Sequence, residues 1–346
     1  MGIKPFKIQK RFVGNGFPAY IIAEIGYNFN TIEEGIASID AAAECGVDAV
    51  KFQTFRAETI TSRLVDFPSE AGGGSQFDEF KRYELSEEQH IKLFEYARKL
   101  DLDAFSTPSY YDDVELLMKI GVPAFKTGAD DLTNLPFLEY LAKQGLPMIV
   151  STGMGTMAEV AVAVETIHSA GNDKLVLLHT VSNYPIKELS EVNLNAMVTM
   201  RNAFKVLTGY SDHTTTMSIP MAAAALGMVV YERHFTLDKE IPAPDCALSA
   251  DPEEMKRIAN GIREVESAMG TGIKAPAKTE LKMRNDARKS AVAVHDLSEG
   301  HVLRKDDLII KRPAWGVGPK DVKRLIGATL SKSVNKDEPI TWEHLK

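Results

Sequence analysis

Cysteine is nearly absent: Cys45 and Cys246 are the only two in 346 residues. Two cysteines build no disulfide framework, which points to a reducing compartment. Cys246 follows Asp245 directly, yet no third group nearby makes it a nucleophile, so a packing role is expected. No run of about 18 apolar residues occurs, so no segment reads as a membrane span. The first residues, MGIKPFKIQKRF, lack the apolar centre of a signal peptide, and Phe6 stands where a myristoylation motif needs Ser or Thr. A dense Lys/Arg stripe is missing as well, and the net charge is −8, which argues against a nucleic-acid surface. The Gly-x-Gly-x-x-Gly of dinucleotide-binding folds and the P-loop are both missing, as are internal repeats and low-complexity tracts. The expectation is a soluble, cytoplasmic protein whose 44% apolar content is ample for a large core.

Short apolar runs alternate with helix-length stretches. The runs are Tyr20–Ile25, Asp48–Phe52, Ala104–Ser106, Ala124–Lys126, Met148–Ser151, Leu175–His179, Val206–Tyr210 and Val229–Glu232. Helical patterns follow them, with start signals such as Glu33 and Glu34 after Thr31, Ser86 with Glu88 and Gln89, and Pro136. Eight β-then-α units in about 250 residues predict an α/β fold of the closed (β/α)8 type, a TIM barrel. The rival is an open doubly wound sheet, disfavoured by the missing glycine fingerprint. A polar insertion at Arg56–Arg82, with three glycines at Gly72–Gly74, is expected to be a functional or mobile loop. The barrel is expected over residues 1–270, a lysine-rich linker over 271–286, and a small domain of short strands and turns over 287–346. That last domain is near the lower size limit for independent folding.

Polar residues just after barrel strands gather at one face. Here they are Glu24, Lys51, Gln53, Ser106, Thr107, Lys126, Ser151, Thr152, His179, Ser182, Tyr184, Ser211, His213, His234 and Asp245. Each has a bland alternative: a strand-end hydroxyl is commonly a helix cap, a lysine snorkels, a lone histidine hydrogen-bonds in the core. The combination resists that reading. His213 and His234 close neighbouring apolar runs around an alanine-rich helix at Ser218–Leu226, and paired neutral imidazoles suit a divalent metal. Lys51 and Lys126 lie inside apolar strands, a costly placement unless they face an anion. Hydroxyls beside them suit phosphate oxygens. These residues alone describe a barrel enzyme for a phosphorylated or carboxylated small molecule, with a metal nearby.

The motifs AEIG at Ala23–Gly26, VKFQ at Val50–Gln53, FSTP at Phe105–Pro108, FKTG at Phe125–Gly128 and STGM at Ser151–Met154 resemble the sialic acid (N-acetylneuraminate) synthase family. SDHT from Ser211, ERHFT from Glu232 and PAPD ending at Asp245 continue the match. Lys311-Arg312-Pro313 extends it into the small domain, which resembles the antifreeze-like SAF domain that follows the barrel in that family. The resemblance spans nearly the whole chain. It implies condensation of phosphoenolpyruvate with an open-chain N-acylated hexosamine to a nine-carbon 2-keto-3-deoxy sugar acid and phosphate.

By that resemblance His213 and His234 hold a divalent metal, Mn2+ or Mg2+, and Glu24 handles a proton or positions water. Lys51, Thr107, Lys126, Ser151, Ser182 and Ser211 bind phosphoenolpyruvate, with Ser182 in place of a usual asparagine. Gln53, Tyr184 and Asp245 meet the sugar, and Arg312 is lent to a neighbour's site in a domain-swapped homodimer. Three departures bear on the acceptor: Tyr27-Asn28-Phe29 replaces an Asn-His, Ala129 replaces a serine, and the glycines before Ser75 replace an asparagine that holds an N-acetyl group. N-acetylmannosamine, a diacetamido hexose, a sugar phosphate and a plain hexose all stay open, so a legionaminic, pseudaminic or deaminated sialic acid synthase is the nearest alternative. A metal-dependent pyruvate aldolase and a non-catalytic sugar-binding protein are the further rivals.

Overall fold

The computed structural model describes residues 3–26, 28–67, 73–241, 243 and 245–346. Tyr27, Gly72 and two prolines of the PAPD motif, Pro242 and Pro244, lie outside the described residues. The chain forms two compact units, Met1–Gly270 and Thr271–Lys346.

The first unit opens with a hairpin that the sequence pattern did not announce, β1 (Phe6–Ile8) against β2 (Arg11–Val13). Each strand has only three residues, too short for a readable alternation. Eight parallel strands follow: β3 (Tyr20–Glu24), β4 (Ala49–Thr54), β5 (Asp103–Pro108), β6 (Phe125–Thr127), β7 (Met148–Ser151), β8 (Leu175–His179), β9 (Leu207–Asp212) and β10 (Val230–His234). Their order is β5-β4-β3-β10-β9-β8-β7-β6, so the first and last barrel strands pair and the sheet rolls up. β5 and β6 lie beside one another at the seam, outside the hydrogen-bonded ladder. The result is the expected eight-stranded barrel. Helices cover its outside, which is why the strands read as continuous apolar runs rather than alternating ones.

The helices begin where capping chemistry says they should. Thr31 and Glu34 form a capping box for α1 (Ile32–Glu44). The insertion expected as a long loop instead folds locally. It contains α2 (Ala57–Ile60) and α3 (Gln76–Tyr83), the second capped by the Ser75 hydroxyl. The polar composition of α3 concealed it, because only Phe77 and Tyr83 are buried. Ser86 and Gln89 box α4 (Glu87–Lys99), and α5 (Tyr111–Ile120) and α6 (Leu135–Lys143) follow. Thr156 caps α7 (Met157–Ser169), and α8 (Asn195–Phe204), α9 (Ser218–Ala225) and α10 (Pro252–Met269) complete the ring.

The second unit has its own core of Ala291, Leu297, Leu303, Val317, Leu325, Leu330, Val334 and Ile340. It is built on α11 (Leu281–Ala287) and an antiparallel pair, β11 (Ser290–Ala293) with β12 (Leu308–Lys311). The segment expected as a linker therefore carries a short helix; it is mostly exposed, and Leu281 and Met283 are spaced too closely to mark one helix face.

One glycine is dictated by the barrel wall. A methyl group on Gly209, in β9, would lie 2.3 Å from the Val230 carbonyl oxygen and 2.6 Å from Leu178. Because the obstruction is backbone of the next strand, it cannot swing aside. Gly209→Ala is expected to destabilise the barrel by about 1–3 kcal/mol, read as a lower urea midpoint; an unchanged midpoint would refute this packing account.

Candidate active site

Strand alternation and parallel register bring the functional side chains to one end of the barrel. Glu24 pairs in register with Lys51 on one side and His234 on the other. Gln53 stands opposite Thr107, and Ser211 opposite Glu232. A cavity of about 1090 Å³ opens there. Glu24, Lys51, Gln53, Thr107, Lys126, Ser151, Ser182, Tyr184, Ser211, His213, His234 and Asp245 all line it. Gly26 leaves room for the Glu24 head: it has φ +50°, and a methyl there would lie 2.5 Å from Glu24 Oε1.

One side of the cavity carries the lysines. Each has a carboxylate partner within the protein, which answers the cost of burying it. Lys51 is ion-paired with Glu24 and donates to Thr107 Oγ1 at 3.0 Å. Lys126 lies 3.3 Å from Glu232, and Ser211 Oγ donates to the same carboxylate oxygen at 3.1 Å. Burial pushes Glu24 up to about 7, against the pull of Lys51. Burial also pushes Lys126 down, while on Glu232 the two lysines overcome burial and hold the carboxyl low. Ser182 Oγ and Glu232 Oε2 are buried without a hydrogen-bond partner, two polar atoms that a ligand would satisfy.

The other side carries the histidines. The His213 and His234 rings are 5.5 Å apart, with the Tyr184 ring 4.2 Å from His213. The Val181 carbonyl accepts from His213 Nδ1 at 2.7 Å, which leaves Nε2 with its lone pair. His234 Nδ1 is buried without a hydrogen bond; the nearest acid, Asp245, is 3.4 Å away. Burial pushes both imidazoles below their ordinary value, His234 furthest, so they are neutral. Burial also pushes Asp245, the third acid of the cavity, up to about 6. Two neutral imidazoles beside a carboxyl group suit a divalent cation.

Several expectations change. Ser106 faces away from the cavity and bonds Thr54 Oγ1 at 2.7 Å, within a chain that runs through His90 to the Ser86 carbonyl. Thr152 donates to the Leu178 carbonyl, and the Val192 carbonyl accepts from His179 Nε2. These three satisfy backbone and core partners; that is the bland reading of His179, whereas Ser106 and Thr152 bond within the barrel rather than cap a helix. Arg312 sits in the second unit directly after β12, with its side chain exposed. Asn28, noted only as a departure, donates to Ser249 Oγ at 2.9 Å, and Ser249 in turn donates to the Asp245 carbonyl at 2.7 Å. It anchors the loop that carries Asp245. The residue missed is Glu232. Its signal was the period of two: it precedes His234 by two positions on β10 and so shares its inward face.

The Lys126–Glu232 pair makes a test. Lys126→Met strands a buried carboxylate and is expected to cost about 3–5 kcal/mol of stability. The double variant Lys126→Met/Glu232→Gln should recover most of that loss in urea unfolding. A double variant as unstable as the single one would refute the pairing.

Comparison with known proteins agrees with this geometry. The NeuB family model matches residues 38–274, and the SAF domain model matches residues 288–346. The chain is 38% identical to an N,N'-diacetyllegionaminic acid synthase of Legionella pneumophila, over 100% of this chain and 98% of that protein. It is 34% identical to the human N-acetylneuraminate-9-phosphate synthase, over 96% of this chain and 94% of that one. A crystal structure of an N-acetylneuraminic acid synthetase from Leptospira borgpetersenii, in complex with citrate, superposes with TM-score 0.74 at 28% identity. That match covers 81% of this chain and 95% of the other.

Proposed function

The chain belongs to the NeuB family, and from that premise we propose that it condenses phosphoenolpyruvate with an open-chain, uncharged N-acylated hexosamine. The products are a nine-carbon 2-keto-3-deoxy sugar acid and phosphate. The observation that carries this reading is the two-sided cavity: lysines and hydroxyls for an anion on one wall, two neutral histidines on the other.

Lys51, Thr107, Lys126, Ser151, Ser182 and Ser211 hold phosphoenolpyruvate by its phosphate and carboxylate. His213 and His234 are the residues that would hold a divalent ion, Mn2+ or Mg2+; when bound, it supplies Lewis acidity toward the acceptor's aldehyde oxygen. Carbon 3 of phosphoenolpyruvate forms the new bond to the aldehyde carbon. Water then adds to carbon 2, and the carbon–oxygen bond to phosphate breaks, releasing phosphate. Glu24, raised to about 7, is poised to take the proton from that water. Glu232, with one oxygen unpartnered, is the second candidate for that role. Gln53, Tyr184 and Asp245 orient the sugar. In a domain-swapped homodimer, Arg312 of a second copy joins them; this part rests on the resemblance of Lys311-Arg312-Pro313. Two free, buried cysteines support a cytoplasmic setting.

The rim of the cavity favours an acceptor without a phosphate. Asp78, Glu79 and Asp130 line it, against Lys187 as the one lysine besides Lys51 and Lys126 among the described residues. Asp78 and Glu79 occupy the first turn of α3, where they offset the positive helix end that would otherwise attract an anion. Ile60, Phe67, Met154 and Leu248 add apolar surface for acyl methyl groups. Together with the Legionella relative, this favours a diacetamido hexose.

Phosphate release, assayed with phosphoenolpyruvate, Mn2+ and a panel of acceptors, tests this. A diacetamido hexose or N-acetylmannosamine is expected to exceed its phosphate ester by at least about tenfold in kcat/KM. No release with any acceptor would sink the synthase reading, and turnover of pyruvate in place of phosphoenolpyruvate would select the aldolase. Chelation is a separate test. EDTA should abolish turnover and leave calorimetric binding of phosphoenolpyruvate in place, with Mn2+ or Mg2+ restoring activity; full turnover after chelation would remove the metal assignment.

A further inference from the structure

Arg233 stands on β10 between two residues that face the cavity, Glu232 and His234, so strand alternation sends its own side chain out of the barrel. It is only 5% exposed, and a guanidinium buried this deeply must be met by hydrogen-bonding partners. Its partners belong to the two loops that finish the histidine side of the site. Nη1 donates to the Asp212 carbonyl at 3.2 Å and to the Thr214 carbonyl, the residues on either side of His213. Nη2 donates to the Leu248 carbonyl at 3.0 Å, three residues beyond Asp245. The Asp212 carboxylate lies 3.6 Å from Nη1, and it also accepts from the Thr214 amide at 2.8 Å and the Tyr231 hydroxyl at 2.9 Å.

The two loops have no other shared side-chain donor among the described residues. The His213 carbonyl is tied to the Ile186 amide on the β8 side, and the Asp245 loop to Asn28 on the β3 side. A planar, rigid fork of donors is the group suited to hold several carbonyls at fixed spacing, which an ammonium on a flexible stem does not do. Of the residues assigned to the anion, Ser182 follows β8 and Ser211 precedes Asp212 on β9, whereas Lys51, Thr107, Lys126 and Ser151, on β4 to β7, share no hydrogen-bond partner with Arg233 among the described residues.

We propose that Arg233 is a positioning residue that clamps the His213 loop to the Asp245 loop and so sets the spacing of the metal and acceptor half of the site. The proposal rests on the reading of His213, His234 and Asp245 given above. It separates the two halves of the cavity: loosening the clamp disturbs one wall and leaves the other.

The test uses the full chain carrying R233K or R233M. Mn2+ affinity is read by electron paramagnetic resonance, phosphoenolpyruvate affinity by calorimetry without acceptor, and acceptor KM by phosphate release. In R233M, Mn2+ affinity and acceptor KM are expected to worsen about tenfold, as for other residues that orient metal ligands from behind. Phosphoenolpyruvate affinity should stay within about twofold, since the two lysines that carry most of the anion site share no partner with Arg233. R233K should fall between wild type and R233M. Equal losses on both walls, or no loss on either, would overturn the proposal. Should R233M not fold, Y231F replaces it: it keeps the guanidinium but frees one Asp212 oxygen, and a smaller loss confined to Mn2+ and acceptor is expected. A wild-type chain that binds no Mn2+ and releases no phosphate removes the functional reading and the clamp together. A wild type that does both, with R233 variants unchanged, removes the clamp alone.

Discussion

Two ammonium groups inside a parallel barrel are the constraint on which this structure turns. Neither Lys51 nor Lys126 reaches bulk water, and each is neutralised by a carboxylate on a neighbouring or facing strand. The desolvation of such charges is repaid only by close partners and further hydrogen bonds. That demand draws in Glu24 and Glu232, and with them Thr107 and Ser211. On Lys51 burial is outweighed by Glu24 and Glu232, which hold the ammonium above its ordinary value, while on Lys126 burial prevails over Glu232 and pulls it down.

The histidines form the rest of the site. The third acid, Asp245, lies 3.4 Å from His234, and both histidines are kept neutral by burial. One wall of the cavity thus presents amines and hydroxyls and the other two neutral imidazoles. The proposed reaction between a phosphorylated enol and an aldehyde suits that division, because its two reactants differ in charge. The acidic rim of Asp78, Glu79 and Asp130 extends the same logic outward.

Much of this was legible in the chain. Eight apolar runs with helices between them specify a barrel, and polar residues at the ends of those runs must converge at one face. Twelve residues expected in the site do line one cavity. The illegible parts share a cause. The β1–β2 hairpin and α3 are too short or too polar to show periodicity. Ser106, Thr152 and His179 sit at strand ends like their neighbours, and only the direction of each side chain relegates them to core hydrogen bonds.

By itself the sequence determined the architecture, the second small domain and the residue types available for chemistry, because hydrophobic period and capping residues act locally along the chain. Only the tertiary structure decided which carboxylate meets which lysine. Glu24 and Lys51 are 27 positions apart, Lys126 and Glu232 further still, and their pairing follows from the order and register of strands. It likewise decided that Asn28 and Arg233 hydrogen-bond to the segment that carries Asp245. Asn28 bonds the Ser249 hydroxyl and the Phe235 carbonyl, and Arg233 bonds carbonyls alone; a carbonyl has no signature in an amino-acid sequence.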